Sequence, residues 1–323
     1  MGDRVMSEEG KLPRKIEELL KSIDEEVKKI ESKIKLSKEK LDKCNLCHYT
    51  SIYNMKKFFI KSEESEKYRP AKIRLRNARY MNDPEEGTIL LKYLSDKVKK
   101  QCEEECIIDN ILNNLDSVSA NSEDVYLFSL SRNKDKLHMW VHYAEKANGI
   151  CLVIDNTSIP DDILNNKTIG FVSYINLEDS HIAKKNYKKK WGKKNREEVE
   201  YTIEQIAKYI RNLQKEIELS KYGCAEKRNI EIRLLNILNR IRFLFKSSDY
   251  KYEREVRLLQ CNPTPEDIKY DESYIPLLHV EVENLKYKEV IIGPKVENPQ
   301  HIAPFINSVD RTITVEKSKI KYR

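Results

Sequence analysis

Apolar positions from Ile16 onward recur at alternating gaps of four and three: Ile16, Leu20, Ile23, Val27, Ile30 and Ile34. Ser37 interrupts the series, Leu41 resumes it, and the positions between are mostly Lys, Glu, Ser and Asp. That spacing predicts one long helix over 13–43 with a heptad seam, entered through Pro13, a residue suited to a first helical turn. Two uses of the seam are open: a coiled coil between copies, giving a homo-oligomer, or a stripe laid on the chain's own body.

Beyond Cys44 the pattern shifts to short apolar runs. Ile52, Met55, Phe58 and Phe59 fall at helical spacing, and Ile73–Arg76 alternates as a strand does. Asn82–Gly87 reads as a turn that opens a helix over Thr88–Lys99. Strands are predicted at Val125–Leu130, Ile150–Ile154, Phe171–Ile175, Val256–Leu259, His279–Val282, Val290–Ile292 and Ile313–Val315, with a short helix over Lys136–Lys146. A mainly helical stretch fills about 181–247. Strands at both ends with helices between them predict an α+β fold with a mixed sheet core. The expected organisation is an N-terminal amphipathic helix (1–43) and an α+β domain (44–323) carrying that helical insertion.

Composition narrows the picture. No run of 18 apolar residues occurs, so no membrane partner is expected. The charged start and seven scattered cysteines fit a cytoplasmic protein with free thiols. Walker, Rossmann and Gly-x-Ser-x-Gly patterns are absent, and eight glycines leave little for phosphate-cradling loops. The basic run around Lys188, Lys189, Lys190 and Trp191 has the chemistry for nucleic-acid contact, or for a solvated helix face.

Candidate chemistry gathers in three places. His48-Tyr49-Thr50-Ser51 offers an imidazole, an aromatic ring and two hydroxyls. Ser129 and Ser131 lie in a predicted strand, followed by Tyr143 on a helix. Glu253, Glu255 and Arg257 would share one face of a regular strand, where two carboxylates and a guanidinium hold a ribose or phosphate, or form an ion-pair ladder. Asp83, Glu85 and Glu86 form a rival acidic cluster suited to Mg²⁺ in a nuclease or to capping a helix. Cys44, Cys47, His138 and His142 are of types that bind zinc, although their separation makes a metal site unexpected.

In order and spacing, the motifs His48–Ser51, Arg79–Glu86, Phe128–Ser131, Met139–Tyr143, Gly149–Leu152 and Tyr252–Arg257 resemble an uncharacterised bacterial family of unknown function. The resemblance covers about 46–323 apart from the basic insert. Strand-His-x-Thr, a Ser-bearing strand and Glu253-x-Glu255 are also similar to the three motifs of ADP-ribosyltransferases of the His-Tyr-Glu type. That likeness implies NAD as substrate, His48 on its ribose hydroxyls, Tyr143 on nicotinamide and Glu255 beside the ribosyl cation. It departs from the family's habit in having Tyr49 where Gly is commoner. The function expected from it is ADP-ribosyl transfer or NAD hydrolysis, as in a defence effector. The alternatives are a metal-dependent nuclease and a non-catalytic nucleotide or nucleic-acid sensor.

Overall fold

The structure is a computed structural model describing residues 12–59, 71–81, 85–100, 106–120, 123–179, 181–182, 190–220, 222–271 and 274–322, with backbone only at 71–72, 190–194 and 283–284. Lys188, Lys189 and Asp83 lie outside the described residues, and Lys190 and Trp191 are described as backbone at the start of the helix Lys190–Leu219.

The chain divides into two compact units. The first contains residues 1–33, 87–123 and 175–242, so the N-terminal helix and most of the region read as an insertion belong to one body. Apart from the short pairing of Ile175 and Asn176 with Ile182 and His181, its described parts are mainly helical, with Arg14–Ile34, Ile89–Lys99, Lys190–Leu219 and Cys224–Arg242 the longest elements. The heptad seam is filled from within: Ile16, Ile23, Val27 and Ile30 are fully buried in a single chain. Arg233 reaches Glu17 and Arg240 reaches Asp24, so Cys224–Arg242 lies along the N-terminal helix. Of the two uses the spacing allows, the stripe laid on the chain's own body is the one the described residues adopt, as core of its own unit. Ile23→Ala is expected to lower the stability of this unit by about 2–5 kcal/mol. Circular-dichroism melts should show that loss at every protein concentration, whereas a zipper would make the midpoint rise with concentration.

The second unit, residues 34–86, 124–174 and 243–323, holds a mixed sheet. Its strands are β1 (Cys47–Thr50), β2 (Ala71–Asn77), β3 (Val125–Ser131), β4 (Ile150–Ile154) and β5 (Thr168–Phe171). After three short strands outside this sheet, β6 (Ser173–Asn176), β7 (His181–Ile182) and β8 (Phe245–Ser247), come β9 (Glu255–Cys261), β10 (Ile268–Tyr270), β11 (Leu278–Leu285), β12 (Tyr287–Ile292) and β13 (Thr314–Lys317). The main path runs β10-β11-β2-β3-β1-β4-β12-β13, and β9 pairs with β3 and β5. β12 and β13 are parallel and the other registered pairs are antiparallel, which makes the predicted α+β class with a mixed sheet correct.

β4 reads Ile-Cys-Leu-Val-Ile because it is covered on both faces, where a strand needs no polar alternation. Leu152 packs with Phe128, Leu130 and Val256 on one side, and Cys151 and Val153 pack with Cys47, Tyr49 and Trp140 on the other. Gly149 precedes this strand because a Cβ there would stand 2.1 Å from the Thr50 carbonyl oxygen.

The part of the sheet that shapes the site is the far edge of β3. β9 pairs with β3 along its whole length, from Val125 to Ser131. The opposite edge is shared: β2 takes Tyr126 and Leu127, and β1 takes Ser131 through Cys47. Between those contacts β1 and β2 part, leaving a gap beside Phe128, Ser129 and Leu130.

Candidate active site

Register alone assembles most of the site. Ser131 lies opposite both Cys47 and Glu255, and Ser129 lies opposite Arg257, so these side chains share one face across β1, β3 and β9. Glu253 joins them by a different route from the one expected. It lies at the end of a 3₁₀ segment, Ser248–Glu253, and Arg254 after it adopts φ 50° and ψ 48° in the left-handed region. This turn, rather than strand alternation, returns the Glu253 carboxylate toward Glu255.

A cleft of ≈ 430 Å³ opens over this face. Of the side chains expected to act, His48, Tyr49, Ser129, Ser131, Tyr143, Glu253, Glu255 and Arg257 all border it. Thr50 does not; it borders a second cavity.

The charges in the cleft form one chain. Arg257, fully buried, donates from Nε to Glu255 Oε1 at 2.7 Å and from Nη2 to Glu255 Oε2 at 3.1 Å. Its Nη1 also donates to Glu86 and, at 2.6 Å, to the Phe243 carbonyl. Lys246 Nζ lies 2.9 Å from Glu253 Oε2 and 3.6 Å from Glu255 Oε2, with the Tyr250 ring 4.4 Å away as a further cation partner. Burial alone would raise the Glu255 carboxyl, but Arg257 and Lys246 outweigh it and hold Glu255 below the usual carboxylate range. In the same way burial would lower Lys246, and the carboxylates of Glu255 and Glu253 raise it. Glu255 is thus a fixed, buried negative charge at the edge of the cleft.

Tyr143 closes this chain. Its helix, Leu137–Tyr143, is anchored by buried Met139 and Trp140 and by a 2.7 Å bond from Trp140 Nε1 to Asp135. The Tyr143 hydroxyl donates to Glu253 Oε1 while 42% of the residue stays exposed. Burial of the hydroxyl, then Glu253, pushes its pKa up, so the phenol stays protonated. What remains is an oriented ring face at the mouth of the cleft, able to stack on a planar group.

His48 is held differently. Alternation along β1 sends Cys47 to the Glu255 face and His48 the other way, toward Phe128, on which its ring stacks at 4.3 Å, and Phe58 at 5.4 Å. His48 and Glu255 therefore point from opposite faces of their strands. Because β1 leaves β3 after the Cys47–Ser131 pair, His48 stands in the gap and borders both cavities. Its Nδ1 lies 3.2 Å from the Ser129 carbonyl, an oxygen without a strand partner there. Burial lowers its pKa to about 4, so the neutral ring donates from Nδ1 and keeps Nε2 as an acceptor for a hydroxyl. A depressed pKa contributes stability above pH 6.5 that is lost as pH falls through about 4, amounting to up to about 3 kcal/mol. By NMR, the His48 ring protons should stay unshifted between pH 8 and 5; a midpoint near 6.5 would contradict the enclosed, neutral imidazole.

Several side chains expected to bind a ligand are engaged within the chain itself. Tyr49 is core: its ring meets Trp140 edge-on and its hydroxyl donates to the Asn133 carbonyl at 2.7 Å. Thr50 is buried, with Oγ1 accepting from Asn54, and Ser51 caps the helix Ile52–Phe58. Ser131 donates to the Glu253 carbonyl at 2.6 Å and accepts from the Asn133 N–H, which fixes the turn carrying Glu253. Arg257 is engaged by two carboxylates and a carbonyl, so it positions Glu255 and is not free to grip a phosphate. The Ser129 hydroxyl is buried on the face that carries Glu255 and helps hold that carboxylate ionised.

Glu86 and Lys246 belong to the site although sequence reasoning passed over the lysine and assigned the glutamate elsewhere. Glu86 is tied to Arg257, so it is not available to the proposed Mg²⁺ cluster. The suggested zinc set is dispersed in its bonding: Cys47 is core, and His138 Nε2 lies 3.1 Å from the Tyr252 carbonyl. Among the described residues no group of three or more His, Cys, Asp or Glu is arranged to hold a metal.

Residues 139–258 match the sequence model of a family described as "Protein of unknown function (DUF2971)". The expected resemblance to an uncharacterised family is correct over this span, which carries Tyr143, Lys246, Glu253, Glu255 and Arg257. No curated protein and no solved structure matches the chain. No described helix is long and apolar enough to cross a membrane.

Proposed function

We propose that the cleft binds NAD as a substrate and breaks its nicotinamide–ribose bond, passing ADP-ribose to water or to an acceptor. The observation that supports this most is adjacency. The three strands bearing the His48, Ser129/Ser131 and Glu253/Glu255 motifs are neighbours in the order β1-β3-β9, and their side chains border one cleft.

The chemistry follows from the fixed charges. As the C1′–N bond breaks, its electron pair leaves with nicotinamide, which becomes neutral, and the ribosyl carbon and ring oxygen share a positive charge. Glu255, already ionised and held rigid by Arg257 and Lys246, stabilises that charge without reorganising. Tyr143 offers its ring to nicotinamide, His48 Nε2 accepts from a ribose hydroxyl, and the Ser129 hydroxyl supplies a further polar contact. Glu253, beside Glu255 and bonded by Tyr143, is placed to draw a proton from the incoming nucleophile.

Incubation with NAD labelled in the nicotinamide ring tests this reading. The expected result is release of free nicotinamide. NAD binding without release would favour the non-catalytic nucleotide sensor, and absence of both would reject the proposal.

A further inference from the structure

A dinucleotide carries two phosphates, and the cleft is a poor place for them. It is lined by three carboxylates, Glu86, Glu253 and Glu255, against two cations, and both cations are already bound to those carboxylates. A more positive lining lies next door. A second cavity of ≈ 290 Å³ in the same unit is lined by Lys57, Arg74 and Arg76, with Asp271 as the one acidic side chain among the described lining residues. Arg74 and Arg76 alternate with buried Ile73 and Leu75 along β2, so both guanidinium groups project on one face. Arg76 has no ion-pair partner among the described residues, Arg74 Nε stands 3.7 Å from Glu281, and Lys57 leans over Tyr53 at 5.8 Å. His48, Tyr49, Met81 and Ser129 line both cavities, so one extended ligand can enter both through the gap between β1 and β2.

We infer that Arg74, Arg76 and Lys57 form a diphosphate-binding subsite, distinct from the carboxylate cleft and joined to it at His48. The inference rests on the proposed use of a dinucleotide, but its chemistry stands apart from bond cleavage. Guanidinium groups meet phosphate oxygens through paired, charge-assisted hydrogen bonds, and Arg76 needs to break no ion pair to do so. The ligand then lies with its diphosphate on β2 and its nicotinamide riboside over β9.

Calorimetric titration with inorganic pyrophosphate and with ADP tests the subsite without any turnover. The intact chain is expected to bind both, more weakly as salt rises. Arg76→Gln should weaken each by about tenfold, and Arg74→Gln/Arg76→Gln by more. Because Arg76 is exposed, folding is not expected to change, and a matched thermal midpoint would confirm it. If NAD is turned over, Arg76→Gln should raise KM and leave kcat unchanged. Failure of the intact chain to bind pyrophosphate or ADP, or equal affinity in Arg76→Gln, overturns the inference. Binding that depends on Arg76 without nicotinamide release would retain the subsite and reject the proposed cleavage.

Discussion

Glu255→Gln is expected to reduce nicotinamide release from NAD by roughly two to three powers of ten while leaving NAD binding and the fold in place. The size of the effect comes from charge. The amide keeps the shape of the side chain and removes the one full negative charge placed to face a developing ribosyl cation. The expectation of an intact fold comes from the charges left behind. Arg257 retains Glu86 and Lys246 retains Glu253, so each buried cation still has a carboxylate. Kinetics and NAD titration on the same preparation separate the two effects. Loss of binding along with turnover would assign Glu255 to holding the substrate, and undiminished release would remove it from the reaction.

Arg257→Leu should be the most destabilising single change in the second unit, costing about 3–5 kcal/mol. With Arg257 present, Glu86 and Glu255 are each neutralised by a short, buried contact. Without it, Lys246 alone is left to Glu253 and Glu255, Glu86 loses its buried cation, and the Phe243 carbonyl loses its donor. Arg257→Lys should recover little, because one ammonium cannot span both carboxylates and the carbonyl as the guanidinium fork does. Thermal and urea denaturation of the three proteins would check this. A stability for Arg257→Leu equal to that of the parent would show that the ion pairs offset no more than their own desolvation.

Local alternation in the sequence was enough to place the motif strands, whereas what brings Ser129, Tyr143, Glu253 and Glu255 to one cleft is long-range pairing of β3 with β9 and the turn at Arg254, which local pattern does not supply. Function was harder to separate from framework. The hydroxyls of Thr50, Ser51 and Ser131 and the ring of Tyr49 look like ligand contacts in a linear chain, yet they meet Asn54, Asn133, Trp140 and the distant Glu253 carbonyl. Those partners lie on other elements or on a helix turn, and motif reading does not supply them. The heptad seam left self-association open for a related reason. Its spacing fixes which face of the helix is apolar, but not whose side chains cover it. Lys246 offered one usable signal, a lysine directly after the apolar pair Leu244-Phe245, where burial demands an acidic partner. The alternation Ile73-Arg74-Leu75-Arg76 marks a strand with one basic face, but nothing within that segment indicates what the face would meet.

The placement of the substrate is tested most directly by a crystal structure of the chain bound to an NAD analogue whose glycosidic bond cannot break. The expected result is nicotinamide against Tyr143, its ribose carbon beside the Glu255 carboxylate, and the diphosphate on Arg74 and Arg76. An analogue bound away from Glu255, or with its nicotinamide end outside the β1-β3-β9 cleft, would contradict ribosyl transfer at this site.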